Sequence, residues 1–410
     1  MHSNTDISNR IEGTALSLFE YCRKNNWSGF DPYDALNSRL FARTPFSKSR
    51  ICRIAATQIL KRLPINLRPL LLISKEQNPK AIALFLMAFI KLSRLGLLGQ
   101  DDLVGIMIKQ LVNLRSQNTP YWCWGYSFPW QGRTMLVPKG APNLVCTVFV
   151  ANALLDAYEY KQESRCLKMA VSAADYIHNE LYWSEDSSIA GFSYPLPGLR
   201  TRVHNANFLG AALFCRIYKH SGEKKFLDPA LKVARYSAAK QHDDGSWDYG
   251  ELSKQHWVDN FHTGYNLCAL RSIGENAGTP EFEPHLRRGL EYYRKHFFRE
   301  DSAPRYFHNR TYPIDIHSVA QSIITLLILK DLAEDGVDVA HSILDWTMKN
   351  MLDKQGYFYY QILPYWKNKI PYMRWSQAWM LLALATLLEK VKQGKQTGVL
   401  RSEVIQYERC

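Results

Sequence analysis

The sequence predicts an all-α protein, a ring of paired helices forming an (α/α)6 toroid with short β-hairpin loops at its rim. An apolar helix recurs along the chain, a charged amphipathic helix follows each copy, and a loop rich in glycine, aromatics and proline closes each unit. From the second apolar helix onward the starts lie about 55 to 60 residues apart, the spacing of stacked helical units.

The apolar helices are expected at 81–95, 145–158, 205–218, 262–273, 317–330 and 375–389. Ala, Leu, Ile and Cys occupy nearly every side of them, as in a helix packed on both flanks. The alternate helices, at 101–115, 163–180, 226–241, 281–298 and 337–351, carry one apolar stripe and many charges, which suits an outer layer. A segment at 49–62 is expected to be the outer partner of the first inner helix, giving six of each. The loops at 191–194, 244–249 and 355–360 each read as a turn plus a short strand. No Pro- or Ser-rich linker interrupts the units. One domain over 46–395 follows, with an N-terminal helical extension at 1–45, helical around 11–24, and a C-terminal tail at 396–410.

Composition fits a globular chain: 46% hydrophobic and 22% charged. Aromatics reach 13% and gather between the helices, where flat faces can meet a sugar ring. The formal charge of +13 suggests an acidic partner, namely an anionic polysaccharide, nucleic acid or a membrane surface. The basic residues form no long block, and no zinc-finger, RNA-binding or basic heptad pattern occurs, so nucleic acid is not expected. The expected partner is an anionic oligo- or polysaccharide, and the charge also permits a peripheral position at the inner membrane. Residues 1–6 lack the charged and apolar regions of a secretory signal. The eight cysteines form no CxxC pair and several sit among apolar neighbours, which points to reduced thiols and a cytoplasmic address. The apolar stretch 81–98 contains Lys91 and Arg94 and is too short and charged to span a bilayer.

If the inner helices run parallel, their N-termini share one face and present free N–H groups and positive dipole ends. Residues of catalytic type gather at those starts: Asp259, His262, Tyr265, Asp315 and His317. Substrate contacts are expected from Asn143, Asn207, Asn260, Gln321, Arg374 and Gln377, with Trp124, Trp130, Trp247, Trp257 and Trp375 as stacking platforms. Helix capping alone accounts for an Asn or Asp at such a position. It accounts less well for His262, Tyr265, His317 and Arg374, which are not preferred caps.

Two chemistries fit. Abstraction of a proton beside the carboxylate of a uronic acid, by a lyase or an epimerase, needs a His or Tyr base, an acid, and Asn, Gln or Arg around the developing enolate. Glycoside hydrolysis needs two carboxylates, for which Asp259 and Asp315 are best placed. The rim has more His, Tyr, Asn and Arg than acid, which favours proton abstraction. A non-catalytic glycan-binding component of a polymer-assembly complex is the third reading. No cofactor is expected, because phosphate-binding Gly loops, a Gly-x-Ser-x-Gly elbow, HExxH and zinc-type clusters are all missing from the sequence.

The whole pattern resembles the six-hairpin toroids of carbohydrate-active enzymes, among them glycosidases, polysaccharide lyases and sugar epimerases. Cys123-Trp124-Gly125-Tyr126 through Trp130-Gln131, then Pro138-Lys139-Gly140-Ala141-Pro142-Asn143, resemble proteins of bacterial capsule and exopolysaccharide gene clusters. Asp259-Asn260-Phe261-His262-Thr263-Gly264-Tyr265 and Met373-Arg374-Trp375-Ser376-Gln377-Ala378-Trp379 extend that likeness over residues 80–390. The resemblance implies polysaccharide biosynthesis, and a pair of His residues in similar sugar 2-epimerases would correspond to His262 and His317. Gln241-x-x-x-Gly245-x-Trp247 also resembles the repeat motif of terpene cyclases, although the acidic Asp-x-Asp-Asp motif of that family is not in the sequence.

Overall fold

In the computed structural model, residues 4–99, 102–132 and 135–407 are described. Asp101, at the expected start of an outer helix, and the last three residues of the expected tail lie outside them. The chain opens with α1 (Asn4–Lys24), the short α2 (Arg39–Ala42) and α3 (Arg50–Arg62). Then come α4 (Pro79–Arg94), α5 (Leu103–Asn113), the strands β1 (Trp130–Gln131) and β2 (Leu136–Val137), α6 (Leu144–Lys161) and α7 (Ser164–Tyr176). Strands β3 (Tyr182–Ser184) and β4 (Ala190–Phe192) precede α8 (His204–Ser221), α9 (Lys224–Ala238), α10 (Asn260–Ala277) and α11 (Glu283–His296). The last units hold β5 (Ile314–Asp315), α12 (Ile316–Ile328), α13 (Gly336–Met351), β6 (Gln361–Ile362), β7 (Lys367–Asn368) and α14 (Trp379–Tyr407). The strands form two hairpins and one three-stranded antiparallel sheet.

Six apolar helices, α4, α6, α8, α10, α12 and α14, pack each on the next, and α14 closes the ring on α4. Their side chains supply most of the core. Burial of that apolar surface, with outer helices covering the far side, drives the arrangement. Five outer helices are the expected ones, α5, α7, α9, α11 and α13. The sixth is a correction. The segment at 49–62 forms α3, which packs on one-turn helices at 34–37 and 45–48 and on β1 rather than on the ring. The outer partner of α14 is α1, held by ion pairs from Arg10 to Asp345 of α13 and from Lys392 of α14 to Glu12. Helix α1 therefore belongs to the ring rather than standing beside it.

Local chemistry sets the helix starts. Asn78, Asn143, Asp259 and Asp315 each cap an inner helix, accepting from the N–H of Lys80, Cys146, His262 and His317. Pro79 follows its cap at the first helical position, where no N–H is needed. Helices α10 and α12 approach closely at Gly264, where a Cβ would stand 2.7 Å from Gln321 Cγ.

One turn into the inner helices, polar side chains clamp the preceding loop. Thr147 Oγ1 accepts from Trp124 N (3.1 Å) and donates to Trp124 O (3.2 Å). Asn207 Oδ1 accepts from Phe192 N (3.0 Å) while its amide donates to Ser237 Oγ (2.9 Å). Gln377 bonds both N (2.9 Å) and O (2.8 Å) of Phe358. Tryptophans also lock loops to outer helices, Trp124 Nε1 donating to Leu111 O and Trp247 Nε1 to Ser237 O.

Asn207→Leu would leave the buried Phe192 N–H unpaired and the Ser237 hydroxyl with only its 3.4 Å contact to His204 Nδ1. A loss of about 1–3 kcal/mol is expected, read from the denaturant midpoint; an unchanged midpoint would remove Asn207 from this structural role.

Candidate active site

The six inner helices begin on one face. Lys80, Val145, Asn205, Phe261 and His317 are the second residues of α4, α6, α8, α10 and α12. Arg374 is the second residue of Met373–Ala378, a wide-turned stretch that leads into α14. All six line a single cavity of about 500 Å³. The walls come from loops that precede the inner helices, and twelve of the nineteen lining residues are Phe, Tyr or Trp, a surface suited to sugar rings.

At the wall, Asp259 accepts three hydrogen bonds. Oδ1 takes the His262 N–H (3.0 Å), while Oδ2 takes His262 Nδ1 (2.7 Å) and Trp257 Nε1 (3.1 Å). The carboxylate thereby fixes the imidazole with Nδ1 turned to it and leaves Nε2 for the cavity. Trp257 stacks on Tyr249 with centroids 4.6 Å apart, which steadies that carboxylate.

At the floor, Tyr265 Oη and His317 Nε2 are 2.7 Å apart. His317 lies between the faces of Phe261 and Trp379, each 4.6 Å from its ring, and its Nδ1 is buried without a partner. Burial, reinforced by nearby Lys80 and Arg374, pushes the His317 pKa well below its ordinary value, so its ring is neutral. Burial likewise drives the Tyr265 pKa well above its usual range and keeps the hydroxyl protonated. Lys80 is 3% exposed and its Nζ sits 4.0 Å from the Phe149 centroid, with the Tyr265 and Trp379 rings also within reach. It has no carboxylate partner among the described residues, and burial with the Arg374 charge lowers its pKa well below that of a free lysine.

No family model matches the chain, and no curated protein matches it in sequence. Solved structures do. An unsaturated glucuronyl hydrolase from Streptococcus agalactiae aligns over 95% of this chain and 93% of its own, with TM-score 0.61 and 10% identity. The cellobiose 2-epimerase from Spirochaeta thermophila aligns over 77% and 86%, with TM-score 0.56 and 13% identity. A GH76 α-mannanase from Bacteroides thetaiotaomicron aligns over 85% and 98%, with TM-score 0.57 and 12% identity. The fold is the six-hairpin (α/α)6 toroid that these structures share.

Within this toroid the expected site residues divide into two groups. Asp259, His262, Tyr265, His317, Arg374, Trp130, Trp257 and Trp375 line the cavity together. The others stand behind it. Trp124 and Trp247 are buried loop anchors rather than stacking platforms, and Asn143, Asn207 and Gln377 serve caps and clamps. Asn260 is tied to Ser322 and Tyr293, and Gln321 to Thr325, in the packing between helices. Asp315 is fully buried and accepts from Gln361 (2.6 Å), the His317 N–H (2.8 Å) and Trp375 Nε1 (3.0 Å). Its role is to position the Trp375 wall and the start of α12, not to face a glycosidic bond. Arg374 also departs from expectation. Asp31 grips it through two hydrogen bonds of 2.7 and 2.8 Å, so its charge is already matched. The basic side chain of the cavity without a carboxylate partner among the described residues is Lys80, which is not among the residues expected from the sequence.

His204, at the start of α8, is buried, and desolvation draws its pKa down to about 4. A histidine depressed in the folded state contributes stability above its ordinary pKa of 6.5, and that contribution disappears as pH falls toward 4. Asp315, pushed up to about 6 by burial against its hydrogen bonds, acts oppositely, losing stability as pH rises from 3.8 to 6. Replacing His204 with Gln should flatten the fall of unfolding free energy between pH 6.5 and 4. An identical slope in denaturation series of wild type and variant would contradict the assignment.

Proposed function

We propose that this protein is a carbohydrate-active enzyme that moves a proton on a sugar carbon beside a carbonyl or carboxylate group, in the manner of an epimerase or lyase. The observation that carries this reading is the Asp259–His262 pair, with its 2.7 Å bond, set in the wall of an aromatic cavity. In this mechanism His262 Nε2 takes the proton from carbon and the bonding pair moves onto the carbonyl oxygen. The carboxylate of Asp259 stabilises the imidazolium. Lys80, at the positive end of α4, faces the oxyanion. The Tyr265 hydroxyl, held in its acid form and anchored on His317, returns a proton to the carbon for epimerisation. The His262 and Tyr265 ring centroids are 6.0 Å apart, close enough for both groups to address one sugar carbon. Solvent exchange then restores both groups.

An acidic sugar fits the charge pattern. Asp259, the one carboxylate among the described residues that line the cavity, is occupied with His262 and Trp257, while Lys80 and Arg374 bring N–H donors. That same count disfavours hydrolysis through Asp259 and Asp315, since two carboxylates must flank the scissile bond. Several solved neighbours are described as sugar epimerases or as unsaturated glucuronyl hydrolases, which supports a saccharide substrate. A place in the assembly of capsular or exported polysaccharide rests on the likeness of the segments at 123–143, 259–265 and 373–379 to proteins of such gene clusters.

The test is deuterium exchange. Reducing aldoses and uronic-acid oligosaccharides incubated with the protein in heavy water should gain deuterium at the carbon beside the carbonyl or carboxylate, read by NMR. His262→Gln should slow exchange by about 10²–10⁴-fold. Asp259→Asn keeps a good helix cap and should give a smaller loss of the same kind. Lys80→Met should weaken acidic sugars by about tenfold or more and neutral analogues far less. New reducing ends without deuterium at carbon would overturn the mechanism in favour of hydrolysis. Undiminished sugar binding with no chemistry in the wild type would leave only the glycan-binding reading.

A further inference from the structure

Residues 35–75 contain nine Lys and Arg and no Asp or Glu. The nearest acids are already spent: Asp31 is buried on Arg374, Asp34 is buried on Arg68, and Glu76 pairs with Lys139. The same stretch turns apolar side chains outward. Helix α3 buries Thr57 and Leu60 and exposes Ile51, Ala55 and Ile59, which stand four residues apart on one face. Ile51 is 78% and Ile59 60% exposed. Nine of the fourteen large exposed hydrophobic residues of the described chain fall within 40–72 and 365–366, so the distribution is a patch and not scatter.

The second segment is the turn between β6 and β7, with Tyr365 and Trp366 at its tip and Lys367 and Lys369 beside them. It lies against α3. Asn368 Nδ2 donates to Leu63 O (3.0 Å), and Ile59, Leu63 and Trp366 share a shallow apolar groove. Facing outward, then, is an apolar helical stripe with aromatic side chains next to it, rimmed by Arg43, Lys48, Arg50, Arg62 and Lys367.

This face borders the cavity. Lys61 of α3 donates to the Tyr33 hydroxyl (2.7 Å) and Arg53 to Gln131 (2.7 Å), and Tyr33 and Trp130 are wall residues. We propose that α3 and the β6–β7 turn dock on an anionic lipid bilayer, with the mouth of the cavity alongside. A bilayer supplies both things the face lacks: negative charge for its basic rim and an apolar layer for Ile51, Ile59, Tyr365 and Trp366. A second copy of this chain would bring the same unmatched positive charges together, which opposes self-association through this face. Among the described residues no helix is long and apolar enough to cross a membrane, so contact through this face is interfacial. The inference stands apart from the proton-transfer reading, because it needs no property of His262 or Lys80.

Cosedimentation of the full chain with phosphatidylcholine vesicles, with and without phosphatidylglycerol, tests it. Wild type should bind the vesicles that contain phosphatidylglycerol, less so as salt rises, and should leave pure phosphatidylcholine largely unbound. A triple change of Ile51→Ser, Ile59→Ser and Trp366→Ser should reduce binding by about tenfold or more. Arg43→Gln with Lys48→Gln and Arg50→Gln should do the same. Melting curves matching wild type establish that both variants are folded. Vesicle binding unchanged in folded variants would overturn the proposal. So would failure of the wild type to bind anionic vesicles, whether it remains monomeric or instead forms dimers that the triple change disperses.

Discussion

The parallel orientation of the six inner helices governs everything that the site can do. Each helix leaves its first N–H groups unpaired and its positive dipole end on the same face, and the ring brings these ends around one opening. The side chain at the second helical position then points into that opening from every helix, as Lys80, Val145, Asn205, Phe261, His317 and Arg374 do. Aromatic loops that feed the helices line the same space and bury the groups at its floor. Desolvation follows, and it holds His317 neutral and Tyr265 protonated while leaving Lys80 in want of an anion.

Helix position sorts the polar residues into separate tasks. The cap residue satisfies free amides, the second residue faces the cavity, and the residue a turn later holds the incoming loop. Asp259 and Asp315 occupy equivalent caps, yet only Asp259 lines the cavity, where His262 Nδ1 and Trp257 Nε1 donate to its second oxygen. Asp315 spends its second oxygen on Gln361 and Trp375. The buried pairs Asp31–Arg374 and Asp34–Arg68 tie the segment after α1 beneath the site. Removing one partner of such a pair strands a buried charge, so these contacts hold the N-terminal segment in place whatever their net contribution.

Periodicity and apolar content made the ring legible in the sequence, since a helix packed on both flanks differs visibly from one with a single stripe. The clustering of His262, Tyr265, His317 and Arg374 was legible too, because none is a common cap. Lys80 is readable only once the helix start is fixed, since the apolar run itself begins at Ala81. The Asn78-Pro79 pair marks a cap followed by a first helical residue, and it makes Lys80 the second. The tie between Asp31 and Arg374 carries no local signal, the two being 343 residues apart. Nor does a loop tryptophan reveal which way it faces, and Trp124 and Trp247 turned inward while Trp130 and Trp257 met the cavity. Helix α1 reads from sequence as an extension because the closing of a ring by its first helix on its last is a long-range event. The basic face is hard to see in the sequence because its signal is a run without acids, not a block of bases.

A crystal structure with a bound saccharide addresses the convergence of the six helix starts most directly. The account predicts one sugar ring inside the aromatic cavity, with its reacting carbon about 3–3.5 Å from His262 Nε2 and its charged or carbonyl oxygens toward Lys80. A saccharide seated elsewhere on the molecule, or one in the cavity whose carbons all lie beyond reach of His262, would contradict it.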